Sequence, residues 1–133
     1  MSMGNDNKSE LPWKELALSL TSFDTVKAAV LDTAGHDLRG KKIVLACDEA
    51  FSNIVEYSGA EHCGFYCLRS ENNVEIGFAD DGIEFDPTKH EPAEKFFEEM
   101  DSGGMGISLI RQTVSSWDYR RENDKNILVM LFR

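Results

Sequence analysis

The chain has 133 residues, 41% of them hydrophobic and 29% charged, the mix and length of one globular domain. A formal net charge of −10 with no basic cluster argues against direct nucleic-acid binding, because Lys and Arg must replace counterions on the phosphate backbone. No apolar run nears the roughly 20 residues of a membrane span, and the start, "MSMGNDNKSE", lacks the apolar core of a signal peptide. A cytoplasmic protein with no membrane partner is expected. Cys47, Cys63 and Cys67 are an odd number and fit no disulfide framework. The spacing of His62, Cys63 and Cys67 is wrong for a zinc knuckle, so the cysteines read as half-buried strand residues.

Residues 1–11 are polar and read as a flexible N-terminal segment, with one domain over 12–133. "WKELALSL", Trp13 to Leu20, alternates Leu16, Leu18 and Leu20 at strand period. "SFDTVKAAVLDTAG" predicts a helix from Phe23 to about Ala34, with Ser22 as N-cap and Gly35 as stop. After a turn over 36–40, a second helix is predicted from about Lys41 to Tyr57. Its buried stripe is Ile43, Cys47, Ala50 and Ile54.

"CGFYCLRS" and "NVEIGFAD" are rich in β-branched and aromatic residues and flank a polar "ENN", which predicts a hairpin. The charged run 88–102 has room for one short helix around Phe96 and Phe97. A third helix is predicted to open at "GGMG" and to continue through "ISLIRQTVSSW", with Ile107, Ile110, Val114 and Trp117 as its core stripe. "DYRRENDKNILVMLFR" predicts a second hairpin turning at Asn123-Asp124. Strands that arrive as hairpins, with helices between them, give an α+β fold. The expected form is a two-layer sandwich, a mostly antiparallel sheet with helices on one face.

Three clusters carry candidate chemistry. In "CDEAFSNIVEY", Glu49 and Asn53 are one helical turn apart beside the buried stripe. A glutamate at a cleft can serve as general base, and an Asn amide oxygen suits Mg²⁺; a solvated helix edge explains the pair equally simply. In "DDGIEFDP", an acid at a strand end can accept from an exocyclic amine while the next glycine lets a flat ring approach. Asp, Gly and Pro are also ordinary turn residues. "SGGMG", Ser102 to Gly106, precedes a helix and exposes amides at its positive end, an anion site or a plain junction.

Taken in order, these segments resemble the three boxes of the Bergerat-type ATPases, the superfamily of gyrase B, MutL, sensor histidine kinases and the heat-shock chaperone ATPase. "DEAFSNIVEY" resembles the N box, "DDGIEFDP" the first glycine box and "GGMGISLIRQ" the second. The length and the tail "YRRENDKNILVMLF" most resemble the bacterial anti-sigma-factor serine/threonine kinases.

That resemblance implies ATP and Mg²⁺ as cofactors, Glu49 as general base and Asn53 as Mg²⁺ ligand. It implies Asp80 as partner of the adenine amino group with Gly82 allowing close approach. Gly104, Met105, Gly106 and Ile107 would hold nucleotide at the helix start, and 88–102 would form the lid. The implied partners are an antagonist protein with a Ser or Thr acceptor and a sigma factor. The family often dimerises, which makes a second copy a candidate partner. Two positions depart from the family pattern: Glu84 stands for the second glycine of D-x-G-x-G, and Ser102 stands where some members carry an Arg.

Overall fold

A computed structural model describes residues 11–89 and 104–133, the side chains of Gly104 and Met105 aside. Residues 1–10, the short helix expected around Phe96 and Phe97, Ser102 and most of the expected lid lie outside the described residues. The elements run β1 (Lys14–Leu16), α1 (Phe23–Ala34), α2 (Leu38–Tyr57), β2 (Cys63–Ser70), β3 (Asn73–Asp80), α3 (Gly104–Thr113), β4 (Ser116–Glu122) and β5 (Lys125–Phe132).

The five strands form one sheet in the order β1-β2-β3-β5-β4, and every neighbouring pair is antiparallel. Asn123 and Asp124 both adopt positive φ, 54° and 62°, which is the backbone of a two-residue hairpin turn matched to strand twist. The expected α+β sandwich is therefore observed.

One sheet face meets the helices. Val26 and Val30 of α1, and Ile43, Cys47 and Phe51 of α2, are buried against Phe65, Ile76, Phe78 and Met130. Phe51 stacks on Phe78 at 6.2 Å between ring centroids, and Phe78 meets Phe65 at 5.3 Å. The opposite face is partly covered by its own aromatics. Trp13 stands edge-on to Tyr66 at 4.7 Å, and Tyr66 lies over Gly77, so only 2% of Tyr66 is exposed.

Three sequence expectations are corrected. The first strand is only Lys14–Leu16; Ser19 then caps a 3-10 turn over Leu20–Ser22 by accepting from the Thr21 amide, which ends the alternation early. Helix α2 starts at Leu38, not near Lys41, because Asp37 caps it through a 3.0 Å bond from the Gly40 amide to Oδ1. Trp117 belongs to β4, not to the third helix. That helix ends at Thr113, and the Ser115 amide already bonds to Leu131 O at 2.8 Å, so the chain has joined the sheet. Trp117 pairs with Met130 and still packs on the core, because the helical spacing and the strand register place it on the same side.

Candidate functional site

Strand β3 ends at Asp80, directly opposite Asn126 near the start of β5. Both are buried, Asp80 at 6% exposure and Asn126 at 7%. Asp80 Oδ1 accepts from the Gly82 amide at 2.9 Å and from Asn126 Nδ2 at 3.1 Å. Among the described residues no hydrogen bond reaches its Oδ2. Burial pushes the Asp80 carboxyl above its ordinary value, while the bonds from Asn126 and Gly82 pull it back.

Asn126 is the hub of the loop after β3. Its Nδ2 also donates to Ile83 O at 2.7 Å. Its Oδ1 accepts from the Phe85 amide at 3.2 Å, the Tyr119 hydroxyl at 2.6 Å and Arg121 Nη1 at 3.1 Å. Arg121 Nη1 also donates to Gly82 O at 2.8 Å. The sequence reading missed Asn126, Tyr119 and Arg121. The signal was there: along "KNILVMLF", Asn126 falls in phase with Leu128 and Met130, a polar side chain on the core face of a strand.

The neighbours of Asp80 have other tasks. A β-carbon on Gly82 would fall on Ser58 at the end of α2, whose carbonyl accepts from the Ile83 amide at 3.0 Å. The missing side chain thus lets the loop dock on α2. Asp81 turns away from Asp80. Its Oδ1 accepts from the amides of Glu61 and His62 at 2.7 and 2.9 Å, and its Oδ2 pairs with His62 Nδ1 at 2.8 Å. Glu84 is exposed and does not line the cleft described next.

That cleft has a volume of about 310 Å³ and lies between α2, the end of β3 and α3. Its walls are largely apolar, with Ile54, Phe78, Ile83, Ile107, Ile110 and Leu128 among them; Asn53, Asp80 and Asn126 supply polar groups. Asn53 and Asp80 are thus brought together with Ile107. Glu49, one turn before Asn53, is half-buried and lies so close to Gly106 that a β-carbon there would overlap its carboxylate. Burial pushes the Glu49 carboxyl up, and the nearby charges of Asp48 and Glu56 add to the rise. Helix α3 starts at Gly104, so its first amides stand at the positive helix end.

A buried carboxylate with one unfilled oxygen, set in an apolar slot, fits a flat heterocycle carrying an amino group. Asn53 offers the neutral hard oxygen that Mg²⁺ accepts. The residues present therefore fit a nucleotide and its metal.

The fold and this site define an ATPase-type nucleotide domain. The family model of the histidine kinase-like ATPase domain matches residues 16–132, and the chain belongs to that family. It is 29% identical over 96 residues to the serine/threonine-protein kinase BtrW of Bordetella bronchiseptica, covering 66% of this chain and 66% of that protein. Its fold is similar to that of the Acinetobacter baumannii histidine kinase AdeS, with a TM-score of 0.51 at 12% identity, over 98% of this chain and 72% of that one. It is also similar to the Erythrobacter litoralis EL346 blue-light activated histidine kinase, with a TM-score of 0.50 at 14% identity, over 84% of this chain and 40% of that one. No helix among the described residues is long and apolar enough to cross a membrane.

Proposed function

We propose that the protein is a serine/threonine protein kinase that uses Mg²⁺ and ATP to phosphorylate an antagonist protein, and that it holds a sigma factor until that antagonist displaces it. The carrying observation is the cleft itself: Asp80, buried with Oδ2 unfilled, shares it with Asn53 while Glu49 sits one turn away against the start of α3. The likeness to a protein named as a serine/threonine kinase supports the acceptor class. The anti-sigma role rests on the resemblance of the three boxes and the tail.

In this reading Asp80 accepts from the adenine amino group and the apolar walls hold the ring. Asn53 ligates Mg²⁺, and the first amides of α3, from Gly104 and Met105 through Gly106 and Ile107, face the phosphates. Bound Mg·ATP supplies the phosphoryl group. Glu49 takes the proton of the acceptor hydroxyl. A carboxylate with a raised pKa is the better base for that step, because its affinity for the proton lies closer to working pH.

One observation favours a second reading, a nucleotide-binding regulatory module without transfer. Among the described residues lining the cleft there is no Lys or Arg to offset charge on a transferring phosphoryl group. Calorimetry with ATP and ADP, with and without Mg²⁺, combined with a radiolabel transfer assay on antagonist proteins from the same organism, separates the two. Binding with transfer is the expected result. Binding without transfer to any antagonist supports the module, and no binding at millimolar nucleotide removes both.

A further inference from the structure

Asn126 occupies Asp80 with more than a simple brace. Five partners fix the orientation of its amide: donors from Phe85, Tyr119 and Arg121 meet Oδ1, and acceptors on Asp80 and Ile83 meet Nδ2. The Nδ2 group therefore spends both of its hydrogens on the protein and has none for a ligand. Asp80 Oδ1 receives two donors, the Gly82 amide and Asn126 Nδ2, while among the described residues none reaches Oδ2. Oδ2 is the oxygen left to accept.

We infer that Asn126 is the positioning residue that makes the enzyme choose adenine over guanine nucleotides. The inference rests on the adenine-nucleotide reading of the cleft and adds the discriminating residue. Adenine presents one amino donor with a ring acceptor beside it. Guanine presents two adjacent donors, the ring N–H and the exocyclic amine, and a carboxylate with both oxygens open accepts both at once. By occupying Oδ1 beside the Gly82 amide, Asn126 leaves Oδ2 as the open acceptor of Asp80. It thereby withholds the paired bond that guanine would gain. Its second donor bond, to Ile83 O, ties the same amide to the wall of the slot.

The test compares ADP and GDP affinities by calorimetry in the parent, Asn126→Ala and Tyr119→Phe, with circular dichroism as the check on folding. The parent is expected to bind ADP far more tightly than GDP. Asn126→Ala, which opens one Oδ1 lone pair, is expected to lower the ADP-over-GDP ratio by about tenfold or more, the scale of a bidentate contact to a base edge. Tyr119→Phe removes one bond to Asn126 Oδ1 and leaves Nδ2 on Asp80; Tyr119 also lines the cleft, so both affinities can shift together, but their ratio should match the parent's. If Asn126→Ala misfolds, Asn126→Ser replaces it, since the shorter hydroxyl also leaves Oδ1 open. An unchanged ratio, with both affinities falling together, makes Asn126 a loop brace and overturns the inference alone. An equal loss of ratio in Tyr119→Phe also overturns it. A parent that binds neither nucleotide overturns the underlying reading as well.

Discussion

The carboxylate of Glu49 rests on Gly106: a β-carbon at that glycine would overlap Oε1, so the first turn of α3 and the side of α2 meet through an acid and a missing side chain. This contact ties the candidate base to the helix whose start would hold phosphates. It makes Gly106→Ala an informative change. Either the carboxylate or the helix start must shift by about an ångström, and misplacement of that size costs about 10²-fold in rate. Phosphoryl transfer by Gly106→Ala is expected to fall by that factor with circular dichroism unchanged. A parental rate would mean that the contact has no part in transfer.

Glu49→Gln asks a different question, because it keeps shape and loses basicity. Transfer is expected to fall about 10²–10⁴-fold with nucleotide affinity nearly intact. Asn53→Ala should instead weaken binding of Mg·ATP while leaving metal-free binding much closer to the parent's. Paired calorimetry and single-turnover transfer on both variants read the split. Equal transfer by Glu49→Gln and parent would remove the base assignment.

The parts of the site legible in the sequence were those carried by local order. Glu49 and Asn53 share a helix side because four residues make one turn, and Asp80 closes a strand marked by its β-branched and aromatic residues. Gly104 opens α3 where the glycine run placed it. Asn126 was hidden because its meaning depends on a strand pairing 46 positions away in sequence, seen only when Asp80 and Asn126 come opposite. Gly82 was read for a ligand's approach, yet its visible neighbour is Ser58, a long-range contact. Trp117 deceived because one apolar residue satisfies a helical stripe and a strand face alike. Amide bonding to the sheet, not periodicity, decides between them.

The His62–Asp81 pair gives stability a dependence on pH. The bond to Asp81 raises the pKa of His62, and that bond with the two backbone amides holds the Asp81 carboxyl well below the usual carboxylate range. A raised histidine contributes fully below its ordinary value of 6.5 and loses its contribution as pH climbs through the raised one. A depressed carboxylate contributes fully above its ordinary value of 3.8 and loses it as pH falls through the depressed one. The pair is therefore at full strength between those two ordinary values. Melting temperature measured from pH 5 to 8.5 should decline more steeply in the parent than in His62→Gln. Parallel curves would show that the pair contributes nothing in solution.

Gly77 tests the open face of the sheet. A β-carbon there would run into the Tyr66 ring, which is itself held edge-on by Trp13. Gly77→Ala must displace that ring, and overpacking of this kind costs about 1–3 kcal/mol. Urea unfolding should show a lower midpoint with an unchanged slope. Nucleotide affinity should hold, because Tyr66 does not line the cleft. A parental midpoint would show that the ring moves aside at no cost.

Asp80→Asn separates binding from stability at one residue. In the folded chain, burial is the largest influence on Asp80 and raises its pKa above the ordinary 3.8, so the ionised carboxylate works against folding at neutral pH. An amide oxygen at the same place keeps the bonds from the Gly82 amide and Asn126 Nδ2, and its nitrogen takes the position of Oδ2. The ligand-free variant should then melt no lower than the parent at pH 7, and its stability should no longer rise as pH falls toward 3.8. Its nitrogen would meet the amino group of adenine donor to donor. That mispairing costs about 1–3 kcal/mol, a loss of roughly tenfold to a hundredfold in affinity for ATP. Thermal melts without ligand and calorimetry with ATP read the two effects independently. Parental ATP affinity in Asp80→Asn, with Asp81→Asn impaired instead, would move the adenine contact to the neighbouring acid. A lower ligand-free melting temperature would show that the carboxylate stabilises the fold it was expected to burden.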